Sequence, residues 1–199
     1  MIKIIKLSKE EPYSIFKDYY DSAMDAKQES VEVISISSFN VKQNEVESRF
    51  VNLKYIINDE WTFFSNYKSP KALQFQGHDQ ISVLFYWKEI NTQIRLKCNI
   101  YKSPDNFSDQ HFQGRTKEKN ALAISSSQSE VVQSYRDVED SYNMTLANIS
   151  ESEERPDYWG GFSFIPYYFE FWQGHNNRLN KRHVFFKDNE VWQDTYLQP

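Results

Sequence analysis

The chain has 199 residues, a formal net charge of −5 and a single cysteine, Cys98. Its length suits one domain that buries a substantial core. The negative charge argues against a nucleic-acid partner, and a lone cysteine excludes an internal disulfide framework and a multi-cysteine metal site. Because the N-terminus lacks the apolar stretch of a signal peptide and no segment could span a bilayer, we expect a soluble, cytoplasmic protein with no membrane partner.

The first half of the chain predicts one helix followed by several strands. An amphipathic pattern over residues 8–28 places Phe16, Tyr19 and Ala23 on one face of a helix. From Val31 the side chains alternate with the period of a strand. A short helix and four further strands are predicted over residues 69–75, 49–57, 61–66, 81–87 and 92–101.

The second half predicts helices and then strands. The expected elements are a helix with a break near Gly114, a second helix, a polar loop and two stretches of strand, over residues 109–125, 130–148, 150–157, 161–173 and 183–197. A hairpin turn is expected at 188–189. Because the strands follow one another without regular β–α alternation, we predict an α+β, mainly β fold. It would form a single domain over 1–199, with helices packed outside an antiparallel sheet or barrel.

Several basic residues lie at positions where a bound anion would stabilise their positive charge. The chain has no glycine-rich phosphate loop, so side chains or helix N-termini would have to hold a phosphate. Lys71 lies in the first turn of a predicted helix, where the helix dipole disfavours a cation unless an anion is bound nearby. Arg115 and Lys119 lie four residues apart, as do Arg178 and Arg182, and such groups suit phosphate oxygens. A surface held by salt bridges is the alternative interpretation.

Cysteine chemistry and metal binding are not indicated. Cys98 shares a predicted strand face with Ile94 and Leu96, so we expect it in the core rather than as a nucleophile. The opposite face carries Gln93, which by alternation alone could meet either solvent or a ligand. The four histidines lack metal-ligand spacing, and we predict no metal site.

A glycine pair follows Trp159 in a chain that has only five glycines. We expect Gly160 and Gly161 to let the backbone turn tightly into the next strand, at a place where side chains would clash.

Eight short segments carry a resemblance to a known family. They are RFVNLK (49–54), FFSNYKSPKA (63–72), TQIRL (92–96), HFQGR (111–115), SSQS (126–129), RPDYWGGF (155–162), EFWQG (170–174) and RLNKR (178–182). In this order and at this spacing they resemble the pyridoxamine (pyridoxine) 5′-phosphate oxidase family of FMN-dependent flavoproteins. The resemblance implies a split β-barrel homodimer with FMN in a cleft between the subunits.

The resemblance also implies roles for individual residues. The implied cofactor-binding residues are Arg49, Phe50, Val51, Asn52, Leu53, Lys54, Phe64, Ser65, Lys71, Gln93, Gln128, Ser129, Trp172 and Arg182. Four of them, Arg49, Lys54, Ser65 and Lys71, would surround the FMN phosphate and ribityl chain, and Gln93 would face the flavin ring. Gln128 and Ser129 would reach the flavin from the partner subunit, and Trp172 and Arg182 would complete the flavin site. The implied substrate-binding residues are Lys54, His111, Arg115, Lys119, Arg178 and Asn180. Among these, Arg178 and Asn180 are the implied catalytic positions.

This sequence departs from the family pattern on the substrate side. The family's R-L-H-D-R reads R-L-N-K-R here, so a histidine is replaced by Asn180 and an aspartate by Lys181. His111 stands in place of a tyrosine, Lys119 in place of a serine, and Pro70 in place of an arginine. Asn180 can hydrogen-bond, but it cannot exchange a proton near neutral pH.

The function implied by the resemblance is FMN-dependent oxidation of pyridoxamine or pyridoxine 5′-phosphate to pyridoxal 5′-phosphate, with O₂ as acceptor. The departures keep two alternatives open. One is a related FMN-dependent oxidase acting on a different small molecule, such as a secondary-metabolite intermediate. The other is a non-catalytic protein that binds flavin or a vitamin B6 phosphate.

Overall fold

The computed structural model describes residues 1–150 and 152–199; Glu151, part of the loop predicted over 150–157, lies outside the described residues. The described residues form ten strands: β1 Lys3–Ile5, β2 Val33–Asn40, β3 Glu45–Asn52, β4 Tyr55–Ile57, β5 Glu60–Asn66, β6 Gln80–Trp87, β7 Thr92–Lys102, β8 Trp159–Gln173, β9 Lys181–Asp188 and β10 Val191–Leu197. Their helices are α1 Glu11–Asp25, α2 Pro70–Gly77, α3 Asp105–Gln113, α4 Lys117–Ser125 and α5 Tyr135–Asn148, with a 3₁₀ turn at Lys88–Ile90. No helix in the described ranges is long and apolar enough to cross a bilayer.

All ten strands belong to one sheet, in the order β1-β4-β5-β8-β7-β6-β2-β3, with β9 and β10 branching from β8. The length of β8 makes the branch possible. Its residues 159–164 pair with β5 and residues 168–173 pair with β9, while β7 pairs along 162–173. The α+β class is therefore confirmed. The path ends at β1 and β3, so the sheet of the described residues is open, and the split β-barrel stays a prediction.

A bulge lies in the middle of β8. Lys97 pairs with Tyr168 and Cys98 with Pro166, so Tyr167 is the extra residue. Proline has no N–H for the ladder and is tolerated where pairing is interrupted. The bulge lies between the part of β8 that pairs with β5 and the part that pairs with β9.

The strand predicted over 49–57 is in fact two strands, because the chain changes partner at Leu53 and Lys54. The Leu53 amide donates to Glu32 O over 2.9 Å, next to β2, and the Lys54 amide donates to Thr62 O over 2.8 Å, on β5. β3 thus pairs with β2, and β4 pairs with β5. β1, which pairs in parallel with β4, was not predicted.

The predicted helices are present, but their first and last residues differ from the prediction. The break near Gly114 is confirmed, since α3 ends at Gln113 and α4 begins at Lys117. The helix predicted from residue 130 begins at Tyr135, because Ser134 and Asp137 form a capping box there. Val131 therefore lies outside the helix and is fully exposed.

The core is built largely from aromatic rings contributed by the sheet and α1. Trp61 of β5 is fully buried, and its ring centroid lies 4.5 Å from that of Phe16 on α1. Phe85 and Phe169 also pack against Trp61. Cys98 is fully buried in the same core, as predicted.

Candidate functional site

Strand β5 separates two clusters of basic side chains. Successive residues of a strand point to opposite faces. Ser65 contacts Lys71, whereas its neighbour Phe64 stacks on His111. We call the first cluster the lysine cradle; it consists of Arg49, Ser65, Ser69 and Lys71. We call the second the arginine pocket; it consists of Lys54, His111, Arg115 and Lys119.

Lys71 is the centre of the lysine cradle and is only 8% exposed. Its Nζ donates to Ser65 Oγ over 3.0 Å and to Ser69 Oγ over 3.2 Å. No carboxylate of the described residues lies within ion-pair distance of this Nζ. Burial first, and the charge of Arg49 second, lower the pKa of Lys71 from 10.5 to about 8. A buried, hydroxyl-lined cation without a carboxylate is suited to an anion.

Arg49 reaches the cradle from β3. Its guanidinium donates to Glu47 Oε2 and to Gln74 Oε1, each over 3.1 Å. It also donates to Ser38 Oγ over 2.5 Å. Burial lowers the pKa of Arg49, although Glu47 opposes the shift. Arg49 is therefore held in place by the protein before any ligand is bound.

His111 occupies the middle of the arginine pocket. Its ring stacks on Phe64 with a centroid distance of 3.6 Å and an interplanar angle of 11°. Its Nδ1 lies 2.9 Å from the Tyr55 hydroxyl. Burial, followed by the charges of Arg115 and Lys54, lowers the pKa of His111 from 6.5 to about 4. The imidazole is consequently neutral at physiological pH, and its Nε2 is left for a ligand.

Arg115 forms one wall of the arginine pocket. Its Cζ lies 4.2 Å from the ring centroid of Trp159, and its Nη2 donates to the Lys119 carbonyl over 2.7 Å. Its Nη1 is buried without a hydrogen-bond partner in the described protein. Burial lowers the pKa of Arg115 to about 10, and burial likewise lowers that of Lys54. An unpaired, buried guanidinium N–H is costly unless a ligand accepts from it.

Three predicted flavin residues lie side by side on the outer face of the sheet. Gln93 of β7 pairs with Trp172 of β8, and Trp172 pairs with Arg182 of β9. Cross-strand partners point to the same face. The structure therefore brings these three together, each partly exposed.

Gln128 and Ser129 lie in the loop between α4 and α5. Gln128 Oε1 accepts from Ser65 Oγ over 3.1 Å and from the Asn66 amide over 3.3 Å. In the single chain this loop therefore contacts the cradle of its own chain. Ser129 has a positive φ of 72° and is exposed. Their predicted role from the partner subunit stays a prediction.

Arg178 and Asn180 lie in the loop between β8 and β9. The Arg178 side chain is exposed and forms no hydrogen bond or ion pair with the described residues, and its backbone has a φ of 60°. Asn180 Oδ1 accepts from the His175 amide over 3.1 Å. Among the described residues, no hydrogen bond or ion pair joins Arg178 or Asn180 to the arginine pocket.

The segment 50–53 shows four different environments. Phe50 is 77% exposed, whereas Leu53 is fully buried. Val51 packs partly against the core, and Asn52 is exposed. Of this segment, only Phe50 and Asn52 present side chains to a ligand or a partner.

The glycine pair lies inside β8 rather than at a turn, which corrects the sequence prediction. Gly160 pairs with Ser65 and Gly161 with Phe64. Neither has a positive φ. A Cβ at Gly160 would lie 2.7 Å from Tyr67 Cζ, and one at Gly161 would lie 2.5 Å from Ser103 Oγ. The expected clash is thus real, but close packing rather than turn geometry causes it.

Comparisons with known proteins show the family of this chain. The family model for the pyridoxine 5′-phosphate oxidase C-terminal dimerisation region matches residues 159–199. A pyridoxine/pyridoxamine 5′-phosphate oxidase of Leptospira biflexa is 32% identical over 191 residues, covering 95% of this chain and 89% of that protein. One from Hydrogenovibrio crunogenus is 31% identical over 192 residues, covering 95% and 88%. The chain belongs to the pyridoxine/pyridoxamine 5′-phosphate oxidase family.

Solved structures share the fold of this family member. PhzG of Burkholderia lata, solved with tetrahydrophenazine-1-carboxylic acid, superposes with a TM-score of 0.89 at 23% identity, covering 95% of this chain and 93% of that one. A pyridoxamine 5′-phosphate oxidase-related, FMN-binding protein of Nostoc punctiforme has a TM-score of 0.75 at 11% identity, with 92% and 97% covered. The family resemblance carried by the eight segments is confirmed.

Sequence reasoning missed several residues that shape the site. Ser69 and Tyr55 bond to predicted site residues, and Trp159 stacks beside them. Glu170 lies between Arg95 and Arg182 with only 2% of its side chain exposed. Strand alternation places Glu170 on the same face as Trp172, which is the one signal that could have identified it.

Proposed function

We propose that this chain is an FMN-dependent oxidase that converts pyridoxamine or pyridoxine 5′-phosphate to pyridoxal 5′-phosphate, with O₂ as acceptor. The observation that carries the proposal is Lys71, a buried cation held by two hydroxyls and by no carboxylate of the described residues. Family membership supplies the reaction class.

The donor set of the lysine cradle fits the phosphate of FMN. Arg49, Ser65 and Lys71 offer two cations and a hydroxyl, which are the groups that bind phosphate oxygens well. Gln93, Trp172 and Arg182 would hold the flavin ring on the outer face of the sheet. Bound there, FMN would supply the two-electron chemistry that side chains lack.

The arginine pocket fits the phosphate of the substrate. Arg115 has a buried N–H without a protein acceptor, and Lys54 and Lys119 add positive charge. His111 is neutral and contributes a hydrogen-bonding nitrogen rather than a charge. Phe64 stacks on His111 and its neighbour Ser65 contacts Lys71, so the two proposed phosphates would bind on opposite sides of β5.

We also propose that the protein is a homodimer and that each chain forms a single FMN-binding domain. The match to a dimerisation region over residues 159–199 supports it. The outer face of the sheet leaves Phe50 77% and Tyr86 58% exposed. A partner would complete the site with Gln128, Ser129, Arg178 and Asn180.

A related substrate without phosphate is the second candidate. Asn180 Oδ1 is engaged by the His175 amide, and Asn180 cannot transfer a proton. The arginine pocket combines stacked aromatic rings with a guanidinium, which suits an aromatic carboxylate as well as a phosphate. PhzG, which shares this fold, was solved with such a carboxylic acid.

Anaerobic mixing of the FMN-loaded protein with pyridoxamine 5′-phosphate tests the proposal. Bleaching of the flavin absorbance, followed by recovery when air is admitted, supports the oxidase. Flavin that stays oxidised with this substrate but is bleached by a dihydroaromatic carboxylic acid supports the second candidate. Flavin that binds yet is reduced by neither compound indicates a binding protein, and failure to bind FMN overturns the proposal.

A further inference from the structure

We propose that Glu170 is a positioning residue: it orients the Arg182 guanidinium at the flavin site before the cofactor binds. This inference rests on the proposed function, because it takes Arg182 to contact FMN. Glu170 lies on β8, two residues before Trp172 and on the same face of the sheet.

The carboxylate of Glu170 is fully occupied by the protein. Its Oε1 accepts from Arg182 Nε over 2.8 Å and forms an ion pair with Arg182 Nη2, also at 2.8 Å. Its Oε2 accepts from Arg95 Nη1 over 2.9 Å and from the Tyr168 hydroxyl over 3.0 Å. The side chain is only 2% exposed. Oε2 thus accepts two hydrogen bonds, whereas Oε1 contacts only Arg182 among the described residues.

These contacts fix the plane of the Arg182 guanidinium. A guanidinium carries five N–H donors in a rigid fork. Nε donates to Glu170 Oε1, Nη2 forms an ion pair with the same oxygen, and Nη1 donates to the Gln198 carbonyl over 3.1 Å. Three of the five N–H groups are therefore left without a hydrogen-bond acceptor among the described residues, and the bonds made by Nε and Nη1 set their directions. Cross-strand pairing places Arg182 and Trp172 on the same face of the sheet.

Charge alone gives the opposite expectation for Glu170. A carboxylate near the site of an anionic cofactor repels it, so a purely electrostatic effect predicts tighter FMN binding when the carboxylate is removed. A positioning role predicts weaker binding, because Arg182 loses its fixed orientation. The direction of the change in affinity therefore separates the two interpretations.

The test is a double-mutant cycle on FMN affinity, measured by quenching of flavin fluorescence in the full chain. Glu170→Gln and Arg182→Ala are each expected to weaken FMN binding about tenfold. The double variant is expected to bind as Arg182→Ala does, because Glu170 acts through Arg182. The visible absorption bands of bound FMN should shift in the same way in both single variants. Arg95→Gln, which removes the other partner of Glu170, is the matched control and should stay within about twofold of the wild type.

Several results would overturn the inference. Unchanged or tighter FMN binding by Glu170→Gln would do so, as would additive effects in the double variant. If Arg182→Ala leaves FMN affinity unchanged while Lys71→Met weakens it, Arg182 does not contact the flavin. The inference then fails, while FMN binding in the cradle stands. If Glu170→Gln does not fold, Arg95→Gln/Glu170→Gln keeps the local net charge unchanged and must show the same tenfold loss.

Discussion

The lysine cradle and the arginine pocket lie on opposite sides of β5, and the same physical effect has opposite consequences in them. Burial among other cations lowers the pKa of Lys71 to about 8 and that of His111 to about 4. Their ordinary pKa values are 10.5 and 6.5. Because the lowered pKa of Lys71 is still above 7, Lys71 stays mostly protonated at neutral pH, whereas His111 is neutral. The cradle therefore offers a buried charge, whereas the pocket offers a stacked, uncharged ring edged by cations.

Replacing Arg115 should affect the pocket and spare the cradle. Arg115→Met removes the buried N–H that has no protein acceptor. Hydrogen bonds to charged groups contribute about 1.5–3 kcal/mol, so we expect the KM for pyridoxamine 5′-phosphate to rise roughly ten- to hundredfold. FMN affinity should stay within about twofold of the wild type.

Steady-state kinetics and FMN titration measure the two quantities. Lys117→Met, at an exposed lysine two residues after Arg115 and at the start of α4, is the matched control and should change neither. Equal losses of FMN and substrate affinity in Arg115→Met would mean that β5 does not separate two sites.

Adding a methyl group at Gly160 should affect both sides of β5 together. Gly160 pairs with Ser65, and a Cβ there would overlap Tyr67. Overpacking of this kind costs about 1–3 kcal/mol, so Gly160→Ala should unfold at a lower urea concentration than the wild type. It should also bind both ligands more weakly.

The matched control is Gly77→Ala. Its Cβ would lie 3.7 Å from Val41 Cγ2, an ordinary contact. We expect its free energy of unfolding to stay within about 0.5 kcal/mol of the wild type. If the Gly160→Ala variant is as stable as the Gly77→Ala variant, Tyr67 moves aside, and stability does not depend on the close packing of Tyr67 against Gly160.

The smallest expected effect concerns the pH dependence of stability. The folded pKa of His111 is lower than the unfolded one, so between pH 6.5 and about 4 the unfolded chain binds more protons. The wild type therefore loses stability as pH falls through this window. His111→Gln, which cannot titrate, should lose less between pH 7 and pH 4.5 in parallel urea titrations. Unfolding midpoints that fall equally in both proteins would show that His111 is not buried among cations.

The fold class and the inner face of β7 could be predicted because they depend on local periodicity. Cys98 lies in the core and Gln93 on the opposite face, as alternation indicated. The split of the strand over 49–57 could not be predicted, because the change of partner at Leu53 is set by distant strands. Glycine inside β8 was mistaken for a turn, since sequence alone does not show that Tyr67 approaches there.

The family motifs predicted much of the candidate site, but they did not predict the residues that support it. The motifs named Arg182 and Lys71, but not the residues that hold them. The burial of Glu170 between two arginines depends on the register of β7, β8 and β9, which no local pattern specifies. Likewise, the hydroxyl of Ser69 meets Lys71 only because α2 folds back onto β5.

The most direct test of the central claim is to compare FMN with riboflavin, which lacks the phosphate, in the wild type and in Lys71→Met. Lys68→Met, an exposed lysine three residues earlier, is the control. If the lysine cradle holds the cofactor phosphate, the wild type and the control should prefer FMN strongly. Lys71→Met should lose roughly ten- to hundredfold of that preference while its riboflavin affinity stays unchanged. An equal preference for FMN in all three proteins would contradict the assignment of the cradle.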